Sequence, residues 1–292
     1  MKKPKMFAVL PTLLTLGNAA CGFGAITFAA RVGPEPQSGG DLFVAAVLIY
    51  LAMVFDMLDG SAARWTKQTS DFGAQLDSLC DAVSFGVAPA FLMIQFTRHA
   101  HLFDGMLPES VVLNFPLNFQ DRMLSRLLWI IGALYVVCAL LRLARFNMET
   151  EEDDSHEYFS GLPSPSAAGT VASFPIAMRG LGNLVADDAT DQSRALAEWL
   201  IPPILQVTLP VITLLVACLM VSRVRYVHVF NQLFRGQLNR QQFIQLVFTL
   251  PVVYMVHWMA VPLIFCYFAF SAPIRAVWQE VARRRLYKSK KI

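Results

Sequence analysis

Charge is scarce in this chain. Only 15% of its 292 residues are Asp, Glu, Lys or Arg, against 55% that are hydrophobic, which is too little polar surface for a water-soluble globule of this length. Disulfide chemistry is absent as well: the five cysteines, Cys21, Cys80, Cys138, Cys218 and Cys266, all fall inside apolar stretches, where they read as small core hydrophobes. No Cys or His grouping has a zinc-site spacing. His99, His101 and His156 fall in polar connections, His228 beside a basic segment, and His257 next to Trp258. Nor is there a basic face for a nucleic acid, because the basic residues are scattered between apolar runs. The exception is the tail over 283–291, whose Arg and Lys residues suit an anionic lipid surface. Internal repeats and low-complexity tracts are lacking.

Long apolar runs are abundant. A helix needs about 20 mostly apolar residues to cross the hydrocarbon layer, where unpaired backbone groups are too costly. Runs of this kind fall at 11–30, 42–60, 79–97, 127–146, 164–184, 200–221, 243–258 and 260–277, the last two either joined by a tight hairpin around 258–261 or forming one long kinked helix. Lys2, Lys3 and Lys5 ahead of the first run read as a cytoplasmic anchor rather than the start of a cleaved signal. With the N-terminus inside, 18 of the 24 Lys and Arg residues lie on the cytoplasmic side. The expected protein is therefore all-α, a polytopic bundle of the cytoplasmic (inner) membrane with both termini cytoplasmic. The connections over 31–41 and 98–126 would lie outside, and the acidic stretch over 149–154 reads as a solvated mobile loop on the inner side.

One segment carries chemistry. Asp56 and Asp59 are spaced i, i+3 at the cytoplasmic end of the second run, and Asp77 and Asp81 are spaced i, i+4 at the start of the third. Each pair shares a helix face, and the short antiparallel connection lets the pairs meet near the water boundary. Four carboxylates in a poorly hydrated place require raised proton affinity or bound cations, and cations are the less costly solution. All-oxygen ligation suits Mg²⁺ or Mn²⁺, and a pair of such ions sharing carboxylates favours displacement at phosphorus. Gly60 and Ala63 admit two readings, close approach of a nucleotide diphosphate or close packing of helices. Ordinary loop-end charges paired with Arg64 and Lys67 would be the bland alternative. An acid-lined cation or proton transporter is another, though its acids belong at mid-membrane.

Asp56, Asp59, Gly60, Ala63, Arg64, Gly73, Asp77 and Asp81 reproduce the whole spacing D-x-x-D-G-x-x-A-R-x8-G-x3-D-x3-D, and on these residues the chain resembles the CDP-alcohol phosphotransferase superfamily. Residues 10–18 followed by Cys21, Gly22 and Phe23, together with 142–147, 159–168 and 220–226, are similar to its integral phosphatidylserine synthase branch. The resemblance covers residues 8 to about 226. It implies a six-helix core, here with about two extra C-terminal transmembrane helices, so that 1–226 forms the transferase domain and 227–292 a hairpin with a basic tail. It also implies a homodimer and two divalent ions in a cavity open to the cytoplasm. One ion would be held by Asp56, Asp59 and Asp77, the other by Asp56, Asp77 and Asp81, with Asp81 also the base for the incoming alcohol. CDP-diacylglycerol would contact Thr12, Thr15, Gly60, Ala63, Arg64, Ser70 and Gly73. Relatives commonly carry Asn where this chain has Thr12, so a contact made by that amide does not carry over.

The implied reaction transfers a phosphatidyl group to the hydroxyl of L-serine and releases CMP. Serine brings a carboxylate, for which Arg142 and Arg145, spaced i, i+3 at the inner end of the fourth run, offer bidentate partners. Transferases acting on glycerol 3-phosphate, inositol phosphate or choline share the eight-residue signature. A phosphorylated acceptor would call for a larger basic cluster than Arg142, Arg145, Arg223 and Arg225 provide.

Overall fold

A computed structural model describes residues 6–31, 38–66, 71–98, 117–152, 158–186, 207–222, 224–227 and 260–289. Helices dominate: α1 (Met6–Ala30), α2 (Ser38–Thr66), α3 (Asp71–Asp81), α4 (Ala88–Arg98), α5 (Leu117–Glu152), α6 (Ser164–Ala186), α7 (Leu209–Val221) and α8 (Ala260–Ser289). Between α3 and α4 the chain stays helical but widens to a π-turn over Ala82–Val87. Two three-residue strands, β1 (Tyr158–Ser160) and β2 (Arg225–Val227), pair antiparallel, with Phe159 opposite Tyr226.

Four stretches among the described residues are long and apolar enough to cross a membrane: Pro11–Ala30, Gly40–Ala62, Phe72–Arg98 and Met123–Met148. Their outward faces carry large apolar side chains such as Phe23, Leu51, Trp129 and Leu141, all exposed, as lipid contact requires. The chain is a polytopic helical membrane protein. These four stretches overlie the first four predicted spans. The helix α6 covers the fifth, α7 the later part of the sixth, and α8 the eighth, continuing into the basic segment as far as Ser289. The predicted span at 243–258 lies outside the described residues, as does the first half of the hairpin around 258–261, whose residues 260 and 261 begin α8.

Three boundaries differ from expectation. The helix α3 starts at Asp71, so Asp77 sits in its second turn and Asp81 is its last residue, just ahead of the π-turn, rather than both being at its start. Hydropathy detects only the lipid-crossing part of a helix, and the polar turns ahead of it are invisible to that measure. At its other end, α5 begins at Leu117, inside the predicted outer connection. It also runs on to Glu152, so the acidic stretch is helical over its first four residues rather than a mobile loop. Glu and Met are good helix formers, in keeping with helix over these residues.

Small residues bring the backbones together. The buried positions of α1 and α2, the most extensively paired helices, include Ala25, Ala29, Ala45, Ala46 and Ala52. On α6, a Cβ at Gly169 would overlap the Phe265 ring of α8 and lie 2.8 Å from Met53 Cε of α2. Tyr50 closes the same junction, donating its hydroxyl to the Gly169 carbonyl at 2.7 Å while its ring meets Phe265 edge-on, 5.4 Å between centroids. The C-terminal helix is thus packed into the body of the bundle.

Candidate active site

The site forms where α2 and α3 each pack against α1 and their acidic side chains converge. Asp56 and Asp59 fall on one face of α2, one turn apart, and the α3 helix presents Asp77 toward them. One carboxylate oxygen from each of Asp56, Asp59 and Asp77 lies within 4.8 Å of the other two. Asp59 is 5% exposed and Asp81 8%. Asp81, one turn further along α3, turns toward α1, where the side-chain amide of Asn18 donates to its Oδ1 at 2.9 Å.

Two oxygens in this group, Oδ2 of Asp59 and Oδ1 of Asp77, are buried with no hydrogen-bond partner among the described residues. An unmet buried polar atom costs about 1–3 kcal/mol, and more when it is charged. Three converging carboxylates with unfilled lone pairs are a hard-oxygen donor set, which suits a divalent cation such as Mg²⁺ or Mn²⁺ and not a soft metal. The residues present therefore fit the metal ions expected from the sequence, with Asp56, Asp59 and Asp77 forming the tight group and Asp81 beside it.

The surroundings are ordered by local chemistry. Thr15, buried on α1, donates to the Pro11 carbonyl at 3.0 Å and stands beside the Asp59 carboxylate. Thr12 is half-buried one turn earlier. Gly60 is exposed, and a Cβ built there meets nothing within 4 Å on other elements among the described residues, so packing between the described helices does not account for this glycine. Gly73 is half-buried on α3. Ala63 and Arg64 lie in the last turn of α2, while Ser70 lies outside the described residues.

Arg142 is half-buried on α5 within electrostatic reach of Asp56. Its Nη1 donates to Ser164 Oγ at 2.7 Å, and its guanidinium carbon sits 5.7 Å from the centroid of Phe146. Ser164 opens α6 just after Gly161, whose φ of +89° is open to glycine without strain. The backbone N–H groups of Gly161 and Leu162 donate to the carbonyls of Val224 and Leu219, at 2.9 and 3.1 Å. The β1–β2 pairing and this turn thus hold the start of α6 against the end of α7, and with it the partner of Arg142. Arg145 is half-buried one turn further on. On the same helix, the side-chain amide of Asn147 donates to Ser78 Oγ of α3 at 2.9 Å, tying α5 to the helix that carries Asp77.

The π-turn positions α3. Tyr135 of α5 donates to the Phe85 carbonyl at 3.2 Å, and Ser84 Oγ donates to the Asn18 carbonyl at 2.9 Å. A Cβ at Gly22 would overlap the Ser84 side chain and approach its Cα to 2.7 Å, so α1 and the π-turn are in backbone contact beside Asp81.

A family model described as CDP-alcohol phosphatidyltransferase matches residues 8–202, about two-thirds of the chain and the whole carboxylate cluster. The chain belongs to this family. Among relatives, it is similar to an archaetidylserine synthase of Methanothermobacter thermautotrophicus, 37% identical over 175 residues, 59% of this chain and 60% of the other. The CDP-diacylglycerol–serine O-phosphatidyltransferase of Mycobacterium tuberculosis is 33% identical over 164 residues, 55% of this chain and 46% of the other. The protein of the same name from Helicobacter pylori is 32% identical over 160 residues, 55% and 54%. The chain thus spans about half to three-fifths of the length of these relatives. As a CDP-alcohol phosphatidyltransferase family member it has its signature residues on α2 and α3. Asn18 and Ser164, which bond to site residues, were assigned no role by spacing. A fully buried Asn within an apolar helix was the available signal for the first.

Proposed function

We propose that this membrane protein transfers a phosphatidyl group from CDP-diacylglycerol to the hydroxyl of L-serine, giving phosphatidylserine and CMP. The observation that carries the reading is the meeting of Asp56, Asp59 and Asp77 within 4.8 Å, beside a buried Asp81, in a chain whose similar proteins are named as serine transferases. Two divalent ions would be shared by Asp56, Asp59, Asp77 and Asp81. When bound, such ions supply charge neutralisation for the diphosphate and for the departing CMP.

The chain's own groups do the rest. Asp81 accepts the proton of the serine hydroxyl through the oxygen that Asn18 leaves free, as the serine oxygen bonds to the diacylglycerol-bearing phosphorus and the bond from that phosphorus to CMP breaks. Positioning contributes as much as basicity, since a carboxylate beside dications is a weak base. Arg142, held by Ser164, pairs with the serine carboxylate, and Arg145 adds charge one turn away. Thr12, Thr15, Gly60, Ala63, Arg64, Ser70 and Gly73 line the path of the CDP-diacylglycerol diphosphate. The open space at Gly60 supports that path. A homodimer, a transferase domain over 1–226 with an appended 227–292 segment, and a site facing the cytoplasm complete the assignment. The excess of basic residues in the predicted inner connections supports the orientation.

The test is serine-dependent CMP release by sealed inside-out membrane vesicles with Mg²⁺ or Mn²⁺, compared across serine, glycerol 3-phosphate, inositol phosphate and choline. Release with serine alone is expected, and Asp81→Asn should lower it at least about 100-fold while CDP-diacylglycerol still binds. Release with another alcohol and none with serine would overturn the choice of acceptor, and an Asn variant of near-normal rate would remove the base role.

A further inference from the structure

The side chain of Asn18 is 0% exposed within an apolar helix, and only one end of its amide is used. The N–H end donates to Asp81 Oδ1 at 2.9 Å; the carbonyl end, Oδ1, is buried with no partner among the described residues. Its backbone is fixed too, because Ser84 Oγ of the π-turn donates to the Asn18 carbonyl at 2.9 Å. A residue whose role was only to tie α1 to α3 would not need an idle buried acceptor, which costs about 1–3 kcal/mol. A donor arriving with the substrate would satisfy the unmet carbonyl. That carbonyl belongs to the same planar group that holds Asp81, so the donor would sit next to the atom handing its proton to Asp81.

Resting on the serine-transfer reading, we infer that Asn18 is a specificity-determining residue whose amide carbonyl receives the ammonium group of a 2-amino alcohol while its N–H end aims Asp81 at the neighbouring hydroxyl. An ammonium has donors only and no acceptor, so it matches a lone carbonyl. In a 2-amino alcohol the amine and hydroxyl sit on adjacent carbons, which lets one substrate meet both ends of this pair. Arg142, from α5, then takes the carboxylate at the opposite end of the substrate. A site that hydrogen-bonds a polar group also rejects an analogue lacking it, because its own buried group is then left unpaired.

The experiment compares L-serine with 3-hydroxypropanoate, which lacks only the amine, as acceptors for the full-length protein. CMP release is measured for wild type, for Asn18→Leu, of nearly the same shape, and for Asn18→Ser, with CDP-diacylglycerol binding followed by titration. The preference in kcat/KM for serine over 3-hydroxypropanoate is expected to fall at least tenfold in whichever variant still binds CDP-diacylglycerol. A lower rate with both acceptors and an unchanged preference would overturn the inference, leaving Asn18 a positioning residue for Asp81 alone. Loss of CDP-diacylglycerol binding in both variants would also overturn it, marking Asn18 as a scaffold residue. Absence of serine-dependent release in wild type would instead be failure of the serine reading, seen before any variant is compared.

Discussion

At Gly60 two explanations of a small residue make opposite predictions. A glycine inside a helix costs about 1 kcal/mol relative to alanine, so it needs a reason. Among the described residues no neighbouring element comes within 4 Å of a Cβ built there, which favours access to the carboxylates over packing. Gly60→Ala is accordingly expected to raise thermal stability in detergent while raising KM for CDP-diacylglycerol several-fold. A variant that is stabilised with unchanged KM would show that the space is not used by the nucleotide. The aspartates themselves were legible in the sequence, since i, i+3 and i, i+4 spacings fix which faces they share. Asn18 and Ser164 were not, because their partners Asp81 and Arg142 lie 63 and 22 residues away, and only the folded bundle brings them together.

Elements read from periodicity and hydropathy were placed well where lipid decides the pattern, and poorly where water begins. The added turns of α3 and the extension of α5 to Glu152 are richer in polar residues than the apolar runs they adjoin, so hydropathy gives them little signal. The π-turn over Ala82–Val87 had no signature either, since its widened register is held by Tyr135 from another helix. The β1–β2 pairing joins two strands of three residues far apart in the chain, too short for an alternating pattern. Gly161 is the hinge of this clip. With φ at +89° and the Met220 carbonyl against the position a Cβ would take, Gly161→Ala should cost at least about 1–2 kcal/mol. The loss would appear as a lower melting temperature in detergent. It should also raise KM for serine, because Ser164 and therefore Arg142 follow that turn. An unaltered melting temperature would mean that the clip does not hold the start of α6.

The bundle's lipid-facing side chains are apolar, and among the described residues its fully buried carboxylates, Asp59 and Asp81, lie where α1, α2 and α3 converge. This division follows from the medium: scattered apolar groups need no partner in lipid, while buried acids are tolerated only where something neutralises them. The family match ends at residue 202, yet α8 contributes Phe265 to the same junction as Gly169 and Tyr50, so chain outside the match helps to build the bundle. Divalent-ion binding by the intact chain tests the central claim most directly, and electron paramagnetic resonance of free Mn²⁺ in detergent measures it without any turnover. Wild type is expected to remove about two ions per chain from solution. A double variant, Asp56→Asn with Asp77→Asn, should lose this binding while keeping its melting temperature. Mn²⁺ uptake equal to wild type in that variant, or none in wild type, would contradict a metal centre built from α2 and α3.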